Sequence, residues 1–292
     1  MVEAVGAMEG RTCVVTGANS GIGKATAAGL ARQGAHVVMV CRDGPRGEAA
    51  QAEIQSLTGN PSVDLLLADL SSQAAIRTLA AEITRSLESL HVLVNNAGVL
   101  VSPRRETVDG LEYTFAVNHL APFLLTNLLL DLLAASAPAR VVNVTSEAHA
   151  MGRIRFDDLQ ARRRYRALGA YNQSKLGNIL FTYELARRIE GRGVTVNCVH
   201  PGGVNTNFGN NAKGAFAAMF RLLKPLMRSP EKGAETALYA AMAPEMEGVT
   251  GEYLVDRESR ASSRRSYDEG LAKQLWDVSA ELTGLDGAPK PA

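Results

Sequence analysis

The 292-residue sequence predicts an α/β fold, a single doubly wound parallel sheet of about seven strands with helices on both faces. Three observations predict it. Apolar runs of strand length alternate with helix-length amphipathic segments along the chain. The runs are apolar at most positions, as strands are when both of their faces are covered. A glycine-rich turn joins the first run to the first helical segment. No linker or composition shift divides the chain, so residues 1–292 are expected to form one domain.

Taken in order, Arg11–Thr16 reads as a strand and Ile22–Gln33 as a helix. Ala35–Cys41 is the second strand, followed by a helix over about Pro45–Leu57. Val63–Leu67 is the third. The helix Ser72–Leu87 after it carries Ile76, Leu79, Ala80 and Ile83 at helical spacing. His91–Asn95 is the fourth strand, and a long helix runs from about Leu111 to Ala135. Arg140–Thr145 is the fifth, Gly169–Glu190 the next helix, Val194–Val199 the sixth strand, and Gly251–Val255 a short seventh. A polar tail from about Gly284 is expected to be flexible.

Composition excludes several classes of function. Lys and Arg number 31 against 30 Asp and Glu, so the chain has no electrostatic footprint for nucleic acid. No apolar run reaches about 18 residues, which argues against a membrane-spanning segment. The start, Met1–Gly10, lacks the order of a signal peptide. Cys13, Cys41 and Cys198 lie in apolar runs without a Cys-x-x-Cys pair and read as small buried hydrophobes of a reducing, cytoplasmic protein. The five histidines show no metal-ligand spacing, and no metal is expected.

Two stretches carry chemistry. In Tyr171-Asn172-Gln173-Ser174-Lys175 a phenol and an ammonium stand one helical turn apart on one face. Free Tyr titrates near ~10, about 3 units above what acid–base work near neutrality asks, a gap of ~4 kcal/mol. A Lys cation ~4 Å away supplies roughly that much at an effective dielectric of ~20. The second stretch, Thr16-Gly17-Ala18-Asn19-Ser20-Gly21-Ile22-Gly23, lies between a first strand and a first helix. There glycines permit a tight turn and close approach of a pyrophosphate to free helical N–H groups. The second strand ends at Cys41-Arg42-Asp43. Asp43 invites NAD(H), whereas Arg42, nearer the end of the apolar run, suits a 2′-phosphate, so NADP(H) is the expected coenzyme. Lys24 either adds charge there or is an exposed lysine of the first turn. Asp69, with Leu70, either holds an adenine edge or caps the following helix.

Asn95-Asn96-Ala97-Gly98 completes a pattern. With Thr16–Gly23, Ser146 and Tyr171–Lys175, it resembles the short-chain dehydrogenase/reductase family over roughly residues 9–283. Within it, Cys41-Arg42-Asp43, Val117-Asn118-His119, the long spacer from Ser146 to Tyr171 and the late segment Tyr267–Leu285 resemble the retinol-dehydrogenase-like branch; light-dependent protochlorophyllide reductases share much of this. The resemblance implies a Rossmann-type fold and a tetrad. Tyr171 would be the acid/base, Lys175 would lower its pKa and bind the nicotinamide ribose, and Ser146 would bond the substrate oxygen, with Thr145 its competitor. Asn118 would bond backbone and a water leading to Lys175. It also implies that Gly17, Asn19, Ser20, Gly21, Ile22, Gly23, Arg42, Asp69, Leu70, Asn96, Ala97 and Gly98 line the cofactor cleft. Pro201, Gly202 and Thr206 of the segment after the sixth strand would sit near the nicotinamide.

The implied reaction is NADP(H)-dependent interconversion of a carbonyl and an alcohol on a small apolar substrate. Double-bond reduction and a non-catalytic NADP(H)-binding sensor are the other readings. Residues 207–229 fall where the family carries its variable lid, with Phe216, Met219, Phe220, Leu223 and Leu226 at helical spacing. An apolar lid, plain packing and a membrane-surface helix all fit that pattern. The basic run Arg162-Arg163-Arg164 in the long spacer reads as a solvated loop face or a site for an acidic partner. Unlike membrane-bound retinol dehydrogenases, the sequence as given opens without an apolar anchor, so a soluble enzyme is expected. The two long helices are those the family uses to pair subunits, which raises a homodimer or homotetramer, although core burial would explain the same residues.

Overall fold

The computed structural model describes residues 6–204 and 227–285. In chain order the main elements are β1 (Thr12–Thr16), α1 (Gly21–Arg32), β2 (His36–Cys41), α2 (Gly44–Thr58), β3 (Val63–Leu67), α3 (Gln73–Ser86) and β4 (Val92–Asn95). Next come α4 (Tyr113–Ala135), β5 (Ala139–Val144), α5 (Ala167–Arg188), β6 (Val194–His200), α6 (Pro230–Met242), β7 (Tyr253–Val255), β8 (Glu258–Ser259) and α7 (Glu269–Thr283). The strands form one sheet in the order β3-β2-β1-β4-β5-β6-β7-β8, parallel from β3 through β7.

Eight strands stand where about seven were expected. The addition is β8, which pairs antiparallel with β7. Asp256 and Arg257 turn the chain with φ of 52° and 66°, the left-handed pair a tight hairpin uses. A two-residue strand is too short for alternation to register, and Asp-Arg carries no glycine signal. The helices α6 and α7 also escaped the strand-and-helix count, although each opens on a side-chain cap, Ser229 and Asp268.

Side-chain alternation divides the core into two layers. Cys13, Val15, Val37, Met39 and Cys41 face one layer with Ala27, Leu30 and Ala31 of α1 and Ala237, Ala240 and Ala241 of α6. Val14, Val38, Val40, Leu93 and Val141 face the other, with α3, α4, α5 and Trp276 of α7. Here Phe123 and Trp276 meet edge-on with centroids 5.0 Å apart. By length and composition α4 is long and apolar enough to cross a membrane, contrary to the expectation from uninterrupted apolar runs. The share of its apolar window buried inside the fold is 72%, and its apolar residues lie in this second layer.

Of the tail expected from about Gly284, only Gly284 and Leu285 are among the described residues. That glycine closes α7 at φ 57°, and Leu285 donates from its N–H to the Ala280 carbonyl at 3.0 Å and packs on the second layer. Thr206 and the expected lid, apart from residues 227–229, lie outside the described residues. Arg162, Arg163 and Arg164 are exposed, as a solvated loop face requires.

Candidate active site

Strands β1 and β4 are neighbours although far apart in sequence, and there the chain order of the sheet reverses. Such a point opens a crevice at the carboxyl ends of the strands. The turn after β1 fills one wall of it. Gly17 has φ 67°, and its N–H donates to the Val40 carbonyl at 2.8 Å. Gly21 has φ 55° at the start of α1. A Cβ on Gly23 would fall 2.3 Å from Asn96 Nδ2 and 2.4 Å from the Gly17 carbonyl oxygen. Side chains cap α2, α3, α6 and α7, but Ser20 at the head of α1, like Arg166 at the head of α5, makes no side-chain cap bond. Residues Asn19–Gly23 thus present helical N–H groups that the protein itself does not cap, and a nucleotide pyrophosphate fits that provision.

The loop after β4 is tied to this turn. Asn96 Nδ2 donates to the Thr16 carbonyl at 2.8 Å, and the Asn96 and Ala97 N–H groups donate to Thr16 Oγ1 at 3.0 and 3.1 Å. Beneath them Asn95 Nδ2 donates to Asn143 Oδ1 at 2.8 Å, and Asn143 Nδ2 to Thr182 Oγ1 at 2.9 Å. This buried amide chain fixes the ends of β4 and β5 against α5. At the end of β3, Asp69 accepts from the Ser71 N–H and hydroxyl at 2.9 and 2.8 Å. It is not the cap of α3, because Ser72 is. Asp43 accepts from the Arg46 N–H at 3.0 Å and caps α2, while Arg42 beside it is exposed. Lys24 is drawn away to Glu53 at 2.5 Å.

Ser146, Tyr171, Lys175 and Asn118 converge on the far side of the crevice. The Ser146 hydroxyl faces the Tyr171 phenol and favours its ionised form. Thr145 is turned away, donating to the Lys175 carbonyl at 3.0 Å. Asn118 sits in a π-helical turn of α4, Ala116–Leu120, an irregularity that often marks functional sites. Its Oδ1 accepts from the Val99 N–H at 2.7 Å, and its Nδ2 donates to the Val99 carbonyl at 2.9 Å and to Ser174 Oγ at 3.0 Å. Ser174 in turn donates to the Tyr171 carbonyl at 2.8 Å, so Asn118 braces the turn of α5 that carries both Tyr171 and Lys175.

The electrostatics correct the simplest reading of the Tyr–Lys pair. Lys175 Nζ lies 5.6 Å from the centre of the Tyr171 ring and donates to the Val144 carbonyl at 2.9 Å. Burial pushes the Tyr171 phenol up to about 12, with the Ser146 hydroxyl pulling against it. Burial also brings Lys175 down to about 8. Desolvation therefore outweighs the attraction that sequence spacing alone suggests. Gly98 lies beside both polar groups: a Cβ there would meet Asn118 Oδ1 and Lys175 Nζ at 3.6 Å.

Residues 11–215 match the model of the short chain dehydrogenases. The chain belongs to that family. Retinol dehydrogenase 12 of Mus musculus is 46% identical over 276 residues, covering 94% of this chain and 87% of that one. Among solved structures, an uncharacterised protein of Mycobacterium paratuberculosis aligns with a TM-score of 0.77 and 37% identity over 94% of each chain. A short chain dehydrogenase of Burkholderia cenocepacia, solved in complex with NADP, has a TM-score of 0.68 and 28% identity over 85% of this chain and 96% of that one. The retinol-dehydrogenase-like branch suggested by the motifs is thus the one to which this chain is similar, and the protein is an oxidoreductase that uses a nicotinamide coenzyme.

Several neighbours of this short-chain dehydrogenase site carried no sequence signal. His149 Nδ1 donates to the Ser146 carbonyl at 2.8 Å, which leaves Nε2 to accept from the Ser263 N–H at 3.0 Å. Glu147 accepts from the Tyr253 hydroxyl at 3.1 Å. After β6, Pro201 is buried and Gly202 has φ 80°. A Cβ on Gly202 would press on the Arg228 guanidinium, the nearest atom 3.0 Å away. Arg228 forms a bidentate pair with Asp256, and its N–H donates to the Gly203 carbonyl at 2.8 Å. A cavity of about 950 Å³ lies at the opposite, amino-terminal end of the strands, lined by Arg11, His91, Arg140 and Tyr183 among others. None of the site residues reaches it.

Proposed function

We propose that this oxidoreductase interconverts a carbonyl and an alcohol on an apolar substrate (retinoid-like, lipid, or an aliphatic or aromatic aldehyde or ketone) and prefers NADP(H) to NAD(H). The observation that carries the reading is the hydroxyl pair of Ser146 and Tyr171, backed by Lys175 and braced by Asn118. Two hydroxyls meeting at one point can hold one oxygen between them. In reduction Ser146 and Tyr171 hydrogen-bond that oxygen as it gains charge, and Tyr171 Oη delivers the proton. In oxidation Tyr171 takes it back. The bound coenzyme would supply or accept the hydride. Residues Gly17–Gly23 would hold its pyrophosphate, Asn96–Gly98 and Pro201–Gly202 would line its cleft, and Lys175 would hold its ribose.

Arg42 supports NADP(H): it is exposed at the end of β2, while the neighbouring acid, Asp43, is engaged as a helix cap. The NADP complex of the Burkholderia cenocepacia relative points the same way. The apolar substrate rests on similarity to proteins named retinol dehydrogenases. Three buried free thiols suit a reducing, cytoplasmic setting. Pairing of subunits through α4 and α5 belongs to the same proposal, and sedimentation velocity reads it. The decisive experiment follows coenzyme oxidation with NADPH and NADH against retinal and medium-chain aldehydes. Turnover of at least one aldehyde with NADPH ahead of NADH is expected. Tight NADPH binding without turnover of any carbonyl would sink the catalytic reading and leave a sensor.

A further inference from the structure

Arg42 is not a free arm. Its Nη1 donates to the hydroxyl of Tyr113 at 2.7 Å, across 71 positions of sequence. Tyr113 is the first residue of α4 and is 7% exposed. Its own N–H donates to the Arg105 carbonyl at 3.0 Å, and the Arg105 guanidinium lies over its ring, 5.0 Å from the centroid. The loop between them is closed by an antiparallel bridge from Glu106 to Glu112, and Glu112 caps α4 by accepting from the Thr114 and Phe115 N–H groups at 2.8 and 2.7 Å. One buried phenol therefore holds two guanidinium groups, one by a hydrogen bond and one by its π face.

Neither guanidinium is in an ion pair among the described residues. The contrast with Arg104 is direct, since that side chain is spent on Glu106 at 2.9 Å. A phenol accepts a hydrogen bond without neutralising the donor, so Arg42 and Arg105 keep their charge. Arg42 keeps it beside the coenzyme turn, because β2 adjoins β1 and Val40 receives the Gly17 N–H, and Arg105 is held on the same phenol as Arg42. Two fixed, uncompensated guanidinium groups are the provision that a doubly charged phosphate monoester recognises.

We propose that Tyr113 is a positioning residue for coenzyme selection: it aims Arg42, and with Arg105 it forms a clamp for the phosphate on the adenosine ribose. This rests on the NADP(H) reading above. The clamp discriminates by charge, since a ribose with a free hydroxyl leaves both cations unanswered.

The test is calorimetric titration with 2′,5′-ADP and with 5′-ADP, on wild type, Tyr113→Phe and Arg105→Ala. Phenylalanine keeps the ring under Arg105 and removes the acceptor of Arg42, and Arg105 is exposed, so its replacement leaves the core alone. Removing one hydrogen bond to a charged group weakens 2′,5′-ADP roughly tenfold, against less than about twofold for 5′-ADP. The same split is expected in kinetics, with the NADPH Michaelis constant rising far more than that for NADH. A wild type that binds 2′,5′-ADP no tighter than 5′-ADP would overturn the coenzyme reading and the clamp together. A wild type that prefers 2′,5′-ADP beside variants that prefer it equally would overturn the clamp alone.

Discussion

Lys175 points its ammonium at the Val144 carbonyl, 2.9 Å away, and stands 5.6 Å from the centre of the Tyr171 ring. It is 4% exposed and no carboxylate pairs with it among the described residues, so the fold carries an unneutralised cation in its interior. Such a charge is costly, and its presence in the crevice is a cost to stability that makes chemical sense only if a ligand or a reaction uses it.

The cost has a pH signature. Burial lowers Lys175 from 10.5 to about 8. Below that value the folded protein holds the charge against its environment; between about 8 and 10.5 the unfolded chain binds a proton that the folded chain does not, so this group's contribution to stability rises with pH. Lys175→Met should therefore be more stable than wild type at pH 7, by up to about 3 kcal/mol. The gap should narrow steadily above pH 8 and close only above about 10.5. Cys13 and Cys198 are pushed upward by burial and work in the opposite direction above about pH 9, but they cancel in the difference between the two proteins. Urea unfolding of both across this range is the measurement, and a gap that does not narrow would return Lys175 to an ordinary surface-like pKa.

Tyr171→Phe should lose turnover by about 10² to 10⁴ while still binding NADPH, because the proton donor is removed and the nucleotide turn is untouched. In the wild type, a phenol held up near 12 is protonated throughout the physiological range. Alcohol oxidation, which needs the phenolate, should accelerate as pH rises from 7 toward 10, and carbonyl reduction should not. Coenzyme-bound rates across pH in both directions would check this, and equal profiles would remove Tyr171 from the proton step.

The sequence made the wiring of this site legible but not its energetics. Gly17–Gly23, Asn96–Gly98, Asn118, Ser146, Tyr171 and Lys175 come together at the carboxyl ends of β1, β4 and β5 because the strand order brings them there; the apolar runs announce a parallel sheet, and the family resemblance, not those runs, gathers the residues into one site. The resemblance already favours Ser146 over Thr145, and the bond from Thr145 to the Lys175 carbonyl, which turns that hydroxyl away, adds a physical reason that adjacent positions in sequence do not carry. The sign of the Tyr171 shift was missed for a similar reason. Spacing reports how near Lys175 can come, but not how much water the site has lost. His149 and Tyr113 gave no signal because their partners, Ser263 and Arg42, are distant in the chain.

Two glycines of the crevice should respond in opposite ways to one methyl group. In Gly23→Ala the new carbon would lie 2.4 Å from the Gly17 carbonyl oxygen and 2.3 Å from Asn96 Nδ2. The backbone atom cannot rotate away, so the turn must part from the β4 loop. NADPH affinity should fall by more than about tenfold, with a loss of about 1–3 kcal/mol in stability from overpacking. In Gly98→Ala the nearest atoms lie at 3.6 Å, ordinary contact distance, and the melting temperature should stay within a degree or two of wild type. Thermal melts with and without NADPH compare the pair, and equal behaviour would mean that the Gly23 approach is not what holds the turn.

His149 offers the sharpest test of how the Ser146 loop is held. Its two ring nitrogens are both committed, Nδ1 to the Ser146 carbonyl and Nε2 to the Ser263 N–H, so one neutral tautomer clips the catalytic loop to the segment before α7. In His149→Phe the ring is kept and both bonds go, leaving the Ser263 N–H without its partner. A defect in placing Ser146 lowers kcat, whereas a defect in the nucleotide turn raises the NADPH Michaelis constant. The expected outcome is a kcat loss of about tenfold to a hundredfold, a displacement on the scale at which misplaced groups act. His149→Asn should recover part of it by restoring a donor on the Ser146 side. Loss of stability without any change in kcat would reduce His149 to a packing residue, and a change confined to the NADPH constant would mean that the clip serves the coenzyme instead of Ser146.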